Sequence, residues 1–163
     1  MANISDKMNE ALNKQIGEEL ESAYIYLGMA NWFEERTLVK LADWFANQAK
    51  EEFAHAMKFK SHILERGGKV HYPELREQKQ DWSNIMEILE ATLAHEQFIT
   101  SKINELYELA QEIKEYSTLP LLLWFIEEQV EEEDNAMALI DRYKGYKNDF
   151  NFDHHVVREE AQE

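Results

Sequence analysis

The segment Ala42-Asp43-Trp44-Phe45-Ala46-Asn47-Gln48-Ala49-Lys50-Glu51-Glu52-Phe53-Ala54-His55-Ala56-Met57-Lys58-Phe59 decides how this chain folds. Ala42, Phe45, Ala49, Ala56, Phe59 and, beyond the segment, Ile63 recur with the spacing of one face of an α-helix. In the middle of that stripe stands Glu52, with His55 one turn on. The same interruption recurs three times. Leu12, Ile16, Ala23, Ala30 and Phe33 are broken by Glu19 and Tyr26. Ile85, Leu89, Ile99, Ile103, Leu106, Ala110 and Ile113 are broken by Glu96, and Leu122, Phe125, Ala136, Leu139 and Tyr143 by Gln129 and Glu132. A single carboxylate in a core seam is an oddity, but one in each of four seams marks a site.

Composition supports long helices around one core. The chain has 163 residues with 5 Gly and 2 Pro, so helix breakers are scarce and one domain over 1–163 is expected. A hydrophobic fraction of 44%, with 12% aromatic, argues against disorder although 31% of residues are charged. The absence of cysteine removes disulfides, iron–sulfur clusters and thiolate zinc sites. A formal charge of −16 argues against nucleic acid as a partner and suits a protein that attracts cations. No apolar run approaches the ~20 residues of a membrane span. The start Met1-Ala2-Asn3-Ile4 shows no secretory signal, so no membrane role and a cytoplasmic setting are expected.

Four helices follow from the punctuation. The first is expected over about Ser5–Glu34, capped by Ser5, and the second over about Leu38–Arg66, stopped by Gly67-Gly68. Residues 69–82, including Pro73, lack a helical period and form a long connection. The third helix is expected from about Ser83 to about Glu115. The fourth starts at Ser117 or Thr118, with Pro120 tolerated in its first turn, and ends at Gly145. Short, long and short links describe an all-α four-helix bundle over about 5–145 with one crossover between helices two and three. The tail, 146–163, supports at most a short fifth helix from about His154.

The interrupting residues are level in the first hairpin. Glu19 lies about 16 residues before its turn and Glu52 about 14 after it. Glu96 and Gln129 lie about 20 and 12 residues from the second turn, a mismatch of ~12 Å that an earlier end to helix three would reduce.

Buried carboxylates cost several kcal/mol each unless paired or metal-bound, and no Lys or Arg interrupts the same stripes. Glu19, Glu52, Glu96 and Glu132 carry a formal charge that two divalent cations would neutralise. Oxygen donors with one imidazole suit iron or manganese. Glu52-x-x-His55 puts both donors on one helix face, with Glu52 as the natural bridge. Taken singly, each has a plainer reading: Tyr26 as a core tyrosine, Trp32, Trp44 and Trp124 as packing aromatics, and Glu127–Glu133 as a solvated face. Their conjunction on four helices favours a site. His95, His154 and His155 show no ligand spacing.

In combination, Glu19-Leu20-x-Ser22-Ala23-Tyr24-x-Tyr26, Glu51-Glu52-x-x-His55, His95-Glu96-Gln97 and Glu128-Gln129-Val130-Glu131-Glu132-Glu133 resemble the ferroxidase-centre motifs of non-heme bacterial and archaeal ferritins. The resemblance implies one iron held by Glu19, Glu52 and His55, and a second by Glu52, Glu96 and Glu132, with Gln129 as ligand or neighbour. It also implies a third, weaker site at Glu51, Glu128 and Glu131, and Tyr26 as an extra electron donor. Its reaction is oxidation of Fe(II) by O2 or H2O2, with ferric mineral stored in a shell of 24 subunits and no heme. Gln129-x-x-Glu132 stands where bacterioferritins and rubrerythrins carry a second Glu-x-x-His, so both fit less well. A di-iron peroxidase or oxidase without mineral, and a non-catalytic helical bundle, are the alternatives.

Overall fold

Ser5 opens the first helix by accepting the Met8 N–H at 3.2 Å, as expected of a serine N-cap. The computed structural model describes residues 3–156. Its helices are α1 Asp6–Glu34, α2 Val39–Glu65, α3 Ile85–Glu112, α4 Leu119–Lys144 and α5 Asp149–His155, with a 3-10 turn at Tyr116–Thr118. The first three helices stop by one device. After α2, Gly67 takes a left-handed φ of 72°, the Gly68 N–H donates to Ile63 O at 2.8 Å and the Gly67 N–H to Leu64 O at 3.1 Å. Thr37 and Lys114 take the same turn after α1 and α3 at φ 60° without being glycine. Left-handed backbone is unfavourable for a side chain branched at Cβ, so Thr37 stores local strain.

Two hairpins, α1–α2 and α3–α4, pack with α1 antiparallel to α3 and α2 antiparallel to α4. Pairs such as Met29–Thr92 with Ser22–His95, and Gln48–Glu132 with His62–Thr118, fix these directions. The crossover lies along α1 from end to end. Lys69 O accepts from the Asn9 and Asn13 amides, Arg76 forks onto Glu21, and the Trp32 indole N–H donates to Trp82 O. Gly17 makes room for it, because a Cβ there would stand 2.6 Å from Pro73 Cγ.

The apolar core is divided in two. One cluster, with Phe33, Phe45, Leu41 and Leu89, fills the end near the α1–α2 turn. The other, with Leu12, Phe59, Ile103 and Phe125, fills the opposite end. The interrupting residues form the layer between them.

Two expectations need correction. Helix three ends at Glu112 rather than about Glu115, and the 3-10 turn takes up the following residues before Leu119. This brings Glu96 level with Gln129 and Glu132, removing the ~12 Å mismatch. The fifth helix starts at Asp149, not near His154, because Asn148 caps it by accepting the Phe150 and Asn151 N–H groups. The last expected tail residues, 157–163, lie outside the described ones.

Helix α5 is docked by a cap it supplies to another helix. Leu38 gives α2 no side-chain cap, and instead the buried Asp153 carboxylate accepts the Leu41 N–H at 2.8 Å. The charge sits at the positive end of the α2 dipole, and Phe152 is buried beside it. Asp153→Ala is expected to cost about 1–2 kcal/mol in denaturant unfolding, and to accelerate amide exchange over 149–156. Asp153→Asn should retain most of both.

Candidate metal centre

Glu19 from α1, Glu52 and His55 from α2, Glu96 from α3 and Glu132 from α4 meet in the layer between the two apolar clusters. All five are buried, and Glu19 is fully so. Among the described residues no buried Lys or Arg offsets them. The donors fall into groups whose ligand atoms lie within 4.8 Å of one another: Glu19, Glu52 and His55, then Glu52, Glu96 and Glu132. Glu52 belongs to both. A further group joins His55 to Glu128 and Glu132.

Each carboxylate is partly held by neutral donors. The Gln15 Nε2 donates to Glu19 Oε1 at 3.2 Å, and Glu19 Oε2 is buried without a hydrogen-bond partner. The Gln48 Nε2 donates to Glu52 Oε1 at 3.2 Å and to Glu132 Oε2 at 2.6 Å. Tyr26 donates its hydroxyl to Glu96 Oε1, and Gln129 Nε2 donates to Glu96 Oε2 at 3.1 Å. Thr100 steadies Gln129 by accepting at 3.2 Å while donating to Glu133 at 2.8 Å. His55 Nδ1 lies 3.3 Å from Glu52 Oε2 and 4.0 Å from Glu19 Oε2, while Nε2 lies 3.8 Å from Glu128 Oε1.

Electrostatics make the layer strained as an assembly of charges. Burial, then the Glu52 charge, raises Glu19 well above the ordinary carboxylate value. The same causes push Glu96 up to about 8. Burial, then Glu96 and Glu52, raises Glu132. Burial opposes ionisation of Glu52 too, but hydrogen bonding and attraction from His55 outweigh it and lower its value. Burial opposes a charge on His55, yet Glu128 and Glu52 overcome that and raise it. Tyr26 is raised by burial and then by Glu96, so its phenol stays protonated. A divalent cation would reverse this balance, because Glu19, whose Oε2 is buried without a hydrogen-bond partner, could bind it, and the cation would replace the protons the acids otherwise hold. The donor set therefore fits a pair of cations.

Glu19, Tyr26, Glu52, His55, Glu96, Gln129 and Glu132 are brought together as their interrupted stripes imply. The outer trio is less concentrated: Glu128 joins His55, whereas Glu51 is half-buried, Glu131 is exposed, and neither joins these groups. Sequence reasoning missed Gln15, Gln48 and Thr100, although each glutamine stands four residues before a buried glutamate. It also passed over His95, which is largely enclosed, lies 2.6 Å from Ser22 Oγ and meets the Tyr26 ring edge-on. Ser22 spends its hydrogen on Glu18 O, so His95 Nε2–H is the donor to Ser22.

The chain is similar to known proteins in sequence and in fold. The family model of the ferritin-like domain matches residues 9–145. A bacterial non-heme ferritin of Campylobacter jejuni is 34% identical over 141 residues, covering 86% of this chain and 84% of that one. One from Staphylococcus aureus is 36% identical over 130 residues, covering 80% and 78%. An open pore ferritin from the hyperthermophilic archaeon Archaeoglobus fulgidus superposes with a TM-score of 0.91 at 36% identity, covering 98% of this chain and 100% of that one.

Proton linkage has a defined sign here. Raised carboxylates bind more protons folded than unfolded, so metal-free stability falls as pH rises from 4.5 towards about 8, where Glu96 titrates. Binding of Zn(II) must expel protons from Glu19, Glu96, Glu132 and His55, so its affinity rises over the same range. Calorimetric titration in buffers of different ionisation enthalpy should show net proton release, with the share from Glu96 lost as pH rises through about 8.

Proposed function

This chain belongs to the ferritin family, and we propose that it oxidises Fe(II) at the buried carboxylate–imidazole centre and stores the ferric product in a homo-oligomeric shell. Iron storage is the function its family membership supports. One observation carries the finer reading: two three-donor groups share Glu52, the arrangement that a carboxylate-bridged metal pair requires.

Glu19, Glu52 and His55 take one Fe(II), and Glu52, Glu96 and Glu132 take the other. Each ion yields one electron, and the two electrons with two protons reduce O2 to H2O2; H2O2 as oxidant takes two electrons and two protons to water. Negative oxygen donors favour the more highly charged Fe(III), which lowers the cost of giving up the electron. The apolar clusters on either side keep bulk water from the layer, so the donors act at low dielectric. Tyr26, with its hydroxyl on Glu96, stands where a further electron can be supplied. Gln129 turns its amide nitrogen to Glu96 and serves as a hydrogen-bonding neighbour. Glu128, with Glu51 and Glu131 on the same stretch of the bundle, forms the third and weaker position on the way out. A shell of 24 subunits in the cytoplasm, without heme, completes the reading; no helix among the described residues is long and apolar enough to cross a membrane.

Anaerobic loading with Fe(II) should saturate at two tight sites per chain, and oxygen should then produce a fast ferric absorbance phase. Glu52→Ala is expected to slow that phase by at least 100-fold, about 3 kcal/mol in barrier, with the oligomer's mass unchanged. Retention of the fast phase would exclude Glu52 as the bridge.

A further inference from the structure

A spacing recurs on the two helices of the first hairpin: Gln15-x-x-x-Glu19 on α1 and Gln48-x-x-x-Glu52 on α2. Residues four apart lie on one helix face, so each glutamine reaches the carboxylate one turn on. Gln15 and Gln48 are only 3% and 2% exposed, a degree of burial unusual for an uncharged amide unless it is bonded. The Gln48 NH2 group faces two carboxylates, donating to Glu52 at 3.2 Å and to Glu132 at 2.6 Å. These carboxylates come from different hairpins. Gln48 thereby ties α2 to α4 across the layer and sets the gap between two ligands. Gln15 donates to Glu19, a ligand of the other position.

The choice of amide has a physical logic. A lysine or arginine at either position would neutralise the charge that draws a cation in. A methionine would leave a carboxylate oxygen without its donor and free to rotate. An amide holds the oxygen and leaves the charge.

We propose that Gln48 and Gln15 are separate positioning residues for the two metal positions, Gln48 for the one formed by Glu52, Glu96 and Glu132, and Gln15 for the one formed by Glu19, Glu52 and His55. The proposal rests on the two-metal reading above. It assigns Gln48 the larger effect on the second position, because two of that position's three carboxylates lose a donor with it. At the first position only Glu52 loses a donor, while Glu19 keeps Gln15.

Calorimetric titration of the metal-free full-length protein with Co(II) under anaerobic conditions tests this without turnover. Gln48→Met preserves bulk and removes the donor. It should weaken binding at the second position roughly 10-fold or more, leaving the first little changed, and Gln15→Met should show the reverse. Gln48→Asn keeps the amide but falls one methylene short, so it should repeat the selective loss even if the methionine variant fails to fold. The visible absorption of bound Co(II) reports which position has changed geometry. Equal losses at both positions, or unchanged binding in the glutamine variants, would overturn the proposal. Glu52→Ala separates the two levels of inference. If it still binds two Co(II) ions per chain, the two-metal reading falls. If it loses them while the glutamine variants bind normally, only the positioning role falls.

Discussion

A carboxylate taken from water into a packed helical interior loses hydration worth several kcal/mol, and this chain does so four times within one cross-section of the bundle. Glu19, Glu52, Glu96 and Glu132 are too close together to ionise independently, which is why burial and mutual repulsion raise three of them while His55 holds Glu52 down. Among the described residues no buried lysine or arginine relieves the charge. The layer is held by amides and a phenol, groups that bond to a carboxylate without cancelling it. That leaves a cation as the partner the arrangement favours.

The remaining architecture keeps this layer in register. Each helix runs past the site into an apolar cluster at either end, so the polar layer lies between two closed plugs. Phe59 stacks on Phe125 on one side at 4.2 Å, and Tyr26 meets Phe45 on the other at 6.1 Å. The crossover fastens along α1 through Asn9, Asn13, Glu21 and Trp32, so the second hairpin enters at the far end and faces the first antiparallel. Asp153 anchors α5 to the start of α2. These contacts position the ligand-bearing helices and contribute no ligand themselves.

Some of this was legible directly. The four stripes predict four helices because a 3.6-residue period leaves a trace wherever one face is buried, and the interruptions at Glu19, Glu52, Glu96 and Glu132 stand out against that trace. The stop at Gly67 was equally readable, since glycine is the residue that left-handed backbone favours. Other boundaries were not. Lys114 makes the same turn without glycine, so composition does not mark the end of α3. The start of α5 was misplaced because Asn148 and Asp149 suit a turn and a helix N-terminus alike, and only docking of Phe152 and Asp153 chooses between them.

The sequence by itself determined the helices, the crossover and which carboxylates lie in the core, because all three depend on local periodicity and on the punctuation between periods. Tertiary structure alone decided that Gln48 spans Glu52 and Glu132, that Gln129 and Glu132 come level with Glu96, and that Glu128 rather than Glu51 or Glu131 approaches His55. These depend on the axial offset and rotation of one helix against another. A shift of one turn, ~5.4 Å, leaves every stripe intact while separating the ligands that different helices supply. The pattern therefore identifies the donors, and the packing sets their distances.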